Sequence, residues 1–100
     1  MHDGKVHVIA IFVAAAGKEH ELGQLLGTLV EPTRQEAGCL RYDLLQGNPG
    51  ESGDFVFVEE WASEEALDAH SRSAHVKDVG KKVGPLLGSA ANIARYRQIR

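Results

Sequence analysis

The sequence predicts an α+β fold with an antiparallel sheet, on three observations. Several segments are rich in β-branched and aromatic residues and alternate between two faces, which is typical of strands. A stripe of leucines between the first two of these segments repeats at helical spacing. The chain has 100 residues and contains no repeat, which suits one domain spanning residues 1–100.

The composition is that of an ordinary globular protein, with 43% hydrophobic and 25% charged residues. This argues against a disordered or low-complexity chain. The formal net charge of −3 provides no basic surface that would attract phosphates, so no nucleic-acid partner is expected.

Cys39 is the single cysteine. It cannot form an internal disulfide, and we expect it to be a small buried hydrophobe in a reducing compartment.

The N-terminal region resembles a secretory signal only poorly. Its apolar run from Val8 to Val13 is short, and cleavage after Ala16 would remove the first predicted strand. No stretch approaches the ~18 apolar residues of a membrane span. We therefore expect a cytoplasmic protein with no membrane partner.

The first part of the chain predicts a strand and then a helix. The strand runs from Val6 to Val13 and is apolar on both sides. After Gly17 a helical stripe follows, formed by Leu22, Leu25, Leu26, Leu29 and Val30. Pro32 should kink or stop this helix because its ring crowds the carbonyl of Thr28. Gly38 then suits the left-handed backbone conformation with which a chain commonly leaves the end of a helix.

The remainder predicts two strands, a second helix and a last strand. The strands run from Leu40 to Leu45 and from Asp54 to Trp61, and their short connection makes them antiparallel neighbours. Ser63 begins the helix. The helix continues into a looser stretch whose second half we expect to be irregular, because it contains Gly80, Gly84, Pro85 and Gly88. The last strand covers residues 90–99.

The resulting order, β-α-β-β-α-β, is that of the ferredoxin-like fold, in which two helices cover one face of a four-stranded sheet. The first and third predicted strands, however, carry apolar residues on both faces. A monomer would leave a large apolar face in water. We therefore expect a homodimer that packs sheet against sheet and encloses an apolar chamber for a small molecule.

His70 is the best candidate for chemistry, because the unperturbed pKa of imidazole is ~6.5 and lets it accept or release a proton near neutral pH. The alternative is a helix histidine that only caps a neighbour or contacts solvent. His75 follows five residues later. On one ideal helix the two rings would point roughly 140° apart, so no metal site is expected.

Glu59 and Glu60 are adjacent on the third predicted strand and must face opposite ways. Glu59 shares its side with Phe57 and Trp61, where a buried carboxylate needs a partner. One interpretation is an ion pair with an arginine, for which Arg41 and Arg95 are the candidates. Trp61 and Tyr42 are either core residues or, in a ligand chamber, flat surfaces that stack on a planar ring.

The sequence lacks the motifs that are typical of several other classes of protein. Paired carboxylates on one face, which glycosidases need, are not indicated. The aromatic third strand lacks the basic start of an RNA-recognition domain. No phosphate-binding glycine loop, nucleophile elbow or dinucleotide fingerprint is present, so flavin and nicotinamide are not expected.

Four segments resemble the antibiotic biosynthesis monooxygenase family in order and spacing. They are V-I-A-I-F-V-A-A-A-G-K-E at 8–19, T-R-Q-E-A-G-C-L-R-Y-D-L at 33–44, F-V-F-V-E-E-W at 55–61 and E-A-L-D-A-H-S-R-S-A-H at 65–75. The resemblance implies a dimeric α/β barrel. It also implies oxygenation of phenols, quinols or anthrone-like polyketides by molecular oxygen, without flavin, haem or metal. The haem-degrading branch has an asparagine on its first strand, which this chain lacks.

The resemblance implies Glu59, Trp61, His70, His75 and Tyr42 as site residues. The hypothesis is cofactor-free monooxygenation of a planar phenol or quinol, with His70 as base and Glu59 as a second catalytic residue that orients it. Trp61, Tyr42, His75 and Phe57 would contact the aromatic substrate. Two alternatives remain open: an isomerase or cyclase that uses the same histidine, and a dimer that binds a small ligand without catalysis.

Overall fold

A computed structural model describes residues 4–100, which form a four-stranded sheet with helices packed on one face. The strands are β1 (Val6–Phe12), β2 (Cys39–Gln46), β3 (Phe55–Trp61) and β4 (Asn92–Tyr96). The helices are α1 (Glu19–Gly27), α2 (Val30–Arg34), α3 (Glu64–Ser71) and α4 (Ala74–Lys82), and a 3₁₀ turn follows at Gly84–Leu86. The sheet order is β2-β3-β1-β4 and every neighbouring pair is antiparallel. The ferredoxin-like fold is confirmed.

Strand alternation sorts the side chains onto two faces, as predicted. The face toward the helices, which we call the inner face, contains Val8 opposite Glu59 and Ala10 opposite Phe57. These four residues are buried. Burial of an apolar side chain such as Val8 or Phe57 contributes about 1.5–3 kcal/mol, so the apolar residues of the inner face hold the helices in place.

The other face of the sheet, which we call the outer face, is also apolar. Ile9, Ile11, Val56 and Val58 lie on it and are half-buried by one another. Leu45, opposite Val56 in β2, is 52% exposed. The described chain places its helices on the inner face, so it offers no helix to cover these residues.

The first helical region is interrupted, as Pro32 predicted, but the interruption lies four residues before the proline. α1 ends at Gly27 and α2 begins at Val30, with Pro32 in its first turn. The interruption falls at Thr28, the residue whose carbonyl a proline four positions later crowds. After α2 the chain turns into β2 through Gly38, which has the left-handed φ of +83°.

The second helical region is two regular helices, where the sequence predicted one helix followed by a looser helical stretch with an irregular second half. Ser63 caps α3 as predicted, since its hydroxyl accepts a hydrogen bond from the Ala66 N–H at 3.1 Å. Ser73 caps α4 in the same way through the Val76 N–H at 3.4 Å. This second cap allows the chain to end one helix and begin another between residues 71 and 74.

Gly80, the one glycine within α4, is less disruptive than expected. α4 is regular through Gly80 to its end, and the expected irregular part begins beyond it, with the 3₁₀ turn and residues 87–91. The last strand, predicted over residues 90–99, is shorter and covers Asn92–Tyr96. Within residues 4–100, none of the helices combines the length and the apolar character that crossing a bilayer requires.

Candidate active site

A cavity of about 200 Å³ lies between the inner face and the helices. Its wall is mainly apolar and includes Tyr42 and Phe57. Four polar side chains also line it, namely Glu59, His70, Ser71 and Arg95. We expected the ligand chamber between the two sheets of a dimer. This cavity instead lies under the helices of a single chain, because the inner face is where the polar and aromatic side chains point.

His70 lies at the end of α3 and is only 8% exposed. Its ring packs against Trp61, with 4.7 Å between the ring centroids, and against Tyr42 at 5.5 Å. Its Nδ1 lies 2.8 Å from Oε2 of Glu36. One nitrogen is thus engaged by a carboxylate, which leaves Nε2 as the other nitrogen of a ring that lines the cavity.

Glu36 is the residue that the sequence analysis missed. It follows α2 by two residues and is 34 positions away from His70, so no local pattern joins them. The same Oε2 atom lies 2.7 Å from Nε2 of His75. An ionised carboxylate only accepts hydrogen bonds. The two contacts therefore require the tautomer of His70 with its proton on Nδ1 and the tautomer of His75 with its proton on Nε2. The predicted orientation of His70 by Glu59 is replaced by a hydrogen bond to Glu36.

The break between α3 and α4 explains why His70 and His75 meet. On one helix their rings would diverge by roughly 140°, but they belong to two helices and their centroids are 6.2 Å apart. His70 Nδ1, His75 Nε2 and a Glu36 oxygen all lie within 4.8 Å of one another. The geometric argument against a shared metal is therefore wrong, since two imidazoles and a carboxylate are a donor set that divalent transition metals accept.

Glu59 is buried on the inner face, and its Oε1 accepts a hydrogen bond from the indole Nε1 of Trp61 at 2.9 Å. Burial raises the pKa of the Glu59 carboxyl, an effect that the Trp61 hydrogen bond and the nearby His70 partly offset. The alternative ion pair with an arginine is not what the structure has. Arg41 instead pairs with Asp43 at 2.7 Å.

Arg95 does line the cavity, but its guanidinium is held by α3. It forms salt bridges with Glu64 and with Asp68, the latter at 3.3 Å. Its side chain is half exposed, and its β4 neighbour Ile93 is 64% exposed. The cavity therefore approaches solvent at the β4 edge, beside an ion-paired arginine.

Tyr42 and Phe57 form the aromatic part of the wall, with ring centroids 4.8 Å apart in a stacked arrangement. Burial, reinforced by the Glu59 carboxylate, raises the pKa of the Tyr42 phenol far above its usual range. The hydroxyl of Tyr42 therefore stays neutral at working pH, and the residue offers a flat, uncharged surface.

Four of the predicted site residues, Tyr42, Phe57, Glu59 and His70, line the cavity. The other two do not. Trp61 is fully buried behind Glu59, and His75 contacts Glu36. Trp61 is connected to the cavity through its hydrogen bond to Glu59, and His75 through Glu36, which in turn contacts His70.

Comparison with known proteins places the chain in a family. The family model described as "Antibiotic biosynthesis monooxygenase" matches residues 5–82. "Putative monooxygenase Rv0793" of Mycobacterium tuberculosis is 39% identical over 82 residues, which cover 82% of this chain and 79% of that protein. "Putative monooxygenase YcnE" of Bacillus subtilis is 34% identical over 68 residues, covering 68% and 70% of the two chains.

Solved structures agree with this family. The structure of Rv0793 superposes with a TM-score of 0.89 and 32% identity over 96% of both chains. The crystal structure of PA3566 from Pseudomonas aeruginosa has a TM-score of 0.89 and 31% identity, covering 100% of this chain and 99% of that one. The matched segment contains β1, β2, β3 and both histidines of the site. The chain therefore belongs to the antibiotic biosynthesis monooxygenase family.

Proposed function

We propose that the protein is a monooxygenase that oxygenates a small planar phenol or quinol with molecular oxygen and without a cofactor, with His70 as the base. The observation that carries the proposal is the hydrogen bond between His70 Nδ1 and Glu36 on the wall of an apolar cavity. Family membership and the names of the relatives support the reaction class.

The geometry around His70 suits a base. A carboxylate that accepts a hydrogen bond from one imidazole nitrogen fixes the tautomer and leaves the other nitrogen as a proton acceptor. Here Glu36 holds the proton on Nδ1, so Nε2 can accept a proton from the substrate hydroxyl. Glu36 is a positioning residue in this scheme, and His75 positions Glu36 in turn through the second hydrogen bond.

The reaction balances without an external reductant. His70 Nε2 takes the phenolic proton, and the resulting anion gives one electron to oxygen. The substrate radical and superoxide then combine to form a carbon–oxygen bond. For a quinol, loss of water leaves a hydroxyquinone, so one oxygen atom enters the product and the other leaves in water. The substrate supplies all the electrons, and an apolar wall limits escape of the radical pair into solvent.

The cavity favours a small substrate. Its volume of about 200 Å³ is below the ~300–1,000 Å³ of sites for drug-sized ligands. Tyr42 and Phe57 provide stacked aromatic surface for a flat ring. Glu59, which also lines the cavity, is the second proposed catalytic residue and would exchange a proton with the substrate. Trp61 and His75 act through Glu59 and Glu36, and direct contact of either with the substrate stays a prediction.

Oxygen uptake with a panel of quinols and hydroxylated aromatics, with and without a chelator, tests the proposal. His70→Ala should lower turnover by roughly 10²–10⁴-fold, the usual contribution of a general base. His20→Ala, at an exposed histidine of α1, is the matched control. Equal rates for His70→Ala and the parent protein would show that His70 is not the base.

The two alternatives give different results in the same assay. An isomerase or cyclase would turn over its substrate under nitrogen as fast as in air. A ligand-binding protein would bind quinol without catalysed oxygen uptake. Oxygen-dependent turnover that a chelator does not lower is the result expected for the proposed reaction.

We also propose that two copies pack through their outer faces as a homodimer. Ile9, Ile11, Val56 and Val58 form an apolar surface there, and Leu45 extends it at 52% exposure. Apolar surface of this extent is uncommon on monomers. Leu45→Glu would place charges in the interface and should shift the mass in light scattering from dimer to monomer. A parent protein that scatters as a monomer would contradict the proposal.

A further inference from the structure

We propose that Glu36, His70 and His75 form a binding site for a divalent transition-metal ion such as Zn²⁺, and that an ion bound there disables His70 as a base. The metal site itself is independent of the proposed function. The loss of His70 as a base rests on that function, and the experiments below test the two separately.

The donor atoms have the right identity and are close together. Glu36 Oε2 lies 2.8 Å from His70 Nδ1 and 2.7 Å from His75 Nε2, and the three atoms lie within 4.8 Å of one another. Two imidazoles and one carboxylate are a donor set that zinc and other divalent transition metals bind. With bonds of about 2.0–2.1 Å, ligand atoms around a tetrahedral ion stand about 3.3 Å apart. Small rotations of the side chains are enough to reach that spacing.

The three side chains are also held in place and shielded from water. Counting side-chain atoms alone, the exposed fractions are 10% for His70, 16% for Glu36 and 24% for His75. Each side chain comes from a different segment: the end of α3, the α2–β2 connection and the start of α4. Ser73 fixes the break between the two helices, because its hydroxyl donates to the His70 carbonyl at 2.7 Å. His75, the most exposed of the three, provides the route by which an ion reaches the site.

Metal binding would redistribute protons within the two rings. A neutral imidazole carries one proton on its two nitrogens, and a metal needs the lone pair of an unprotonated nitrogen. When the ion takes His70 Nδ1, the proton of that ring must move to Nε2. In His75 the proton moves from Nε2 to Nδ1, so no proton is released overall. His70 then donates a hydrogen bond toward the cavity where it previously accepted one.

Titration of the metal-free protein with Co²⁺, followed by visible absorption, tests the site without any substrate. The expected result is one Co²⁺ per chain with ligand-field bands of a nitrogen- and oxygen-ligated ion. His75→Gln is the informative variant, because its amide N–H can still donate to Glu36 whereas an amide is a poor ligand for zinc. The affinity of His75→Gln for Co²⁺ should fall by more than roughly 10–100-fold, which is the usual loss when the mutated residue contacts a metal ligand without binding the metal itself.

His20→Gln is the matched control, since it makes the same change at an exposed histidine. It should bind Co²⁺ as the parent does. Equal affinity of the parent and His75→Gln would overturn the site, as would loss of binding in the His20→Gln control.

Inhibition is measured separately, with each protein compared with its own metal-free rate. Saturating Zn²⁺ should suppress oxygen uptake of the parent and of His20→Gln, and a chelator should restore it. Full turnover with the ion bound would refute the blocking of His70 and leave the metal site standing. If no substrate of the panel is oxidised, the proposed function fails, and the Co²⁺ titration still decides the metal site.

Discussion

Replacing Glu36 with glutamine tests the central element of the site, the carboxylate shared by His70 and His75. Both hydrogen bonds end on the same oxygen, at 2.8 and 2.7 Å. The amide oxygen of glutamine can accept in the same place, so the shape is preserved and only the charge is removed. A hydrogen bond to a charged group contributes about 1.5–3 kcal/mol, against about 0.5–1.5 kcal/mol for a neutral one.

Each of the two hydrogen bonds should therefore weaken by about 1 kcal/mol, and the free energy of unfolding should fall by about 2 kcal/mol. For a domain of this size the melting temperature would drop by roughly 8–16 °C. The same loss of about 1 kcal/mol at His70 lowers its ratio of Nδ1–H to Nε2–H tautomer about fivefold. Nitrogen chemical shifts of the imidazole measure that ratio directly, and thermal unfolding measures the stability.

Glu31→Gln is the control for Glu36→Gln. Glu31 pairs with Arg34 at 3.7 Å and its side chain is 81% exposed, so its loss should cost less than about 1 kcal/mol. If Glu36→Gln unfolds at the same temperature as Glu31→Gln and His70 keeps its tautomer, then Glu36 does not orient His70, and the proposed role of His70 loses its structural basis.

Three further predictions concern neighbouring positions. Gly38→Ala should destabilise the protein by about 2 kcal/mol or more. The left-handed φ costs about 1–2 kcal/mol for a residue with a side chain, and the new Cβ would stand 2.5 Å from Cβ of Ala66. An unchanged denaturation midpoint would contradict this prediction. Glu59→Gln should raise the denaturation midpoint near neutral pH, since burial raises the pKa of this carboxyl and its ionised form costs stability. That gain should shrink in mild acid as the parent carboxyl takes up a proton, and a gain that persists there would argue against the charge as its cause. The thiol of Cys39 should alkylate more slowly than free cysteine, because burial and the carboxylates of Glu36 and Glu59 raise its pKa; fast alkylation of the folded protein would refute this.

The sequence determined the features that depend on neighbouring residues. Alternation along β3 put Glu59 on the same face as Phe57 and Trp61, since successive strand residues point to opposite faces. The interruption at Thr28 and the left-handed φ of Gly38 follow from the backbone limits of proline and glycine. The single domain and the cytoplasmic location stay predictions from the sequence.

Only the tertiary structure decided how the polar residues combine. The partner of His70 is Glu36, 34 positions away, and the hydrogen bond forms because α3 packs beside the connection that leads into β2. The second helix break, made by the Ser73 cap, turns His75 toward the same carboxylate. Periodicity fixes the direction of a side chain within one element, whereas the meeting of side chains from different elements depends on how those elements pack. The sequence therefore identified the histidine, and the packing of α3, α4 and the α2–β2 connection determined what holds it.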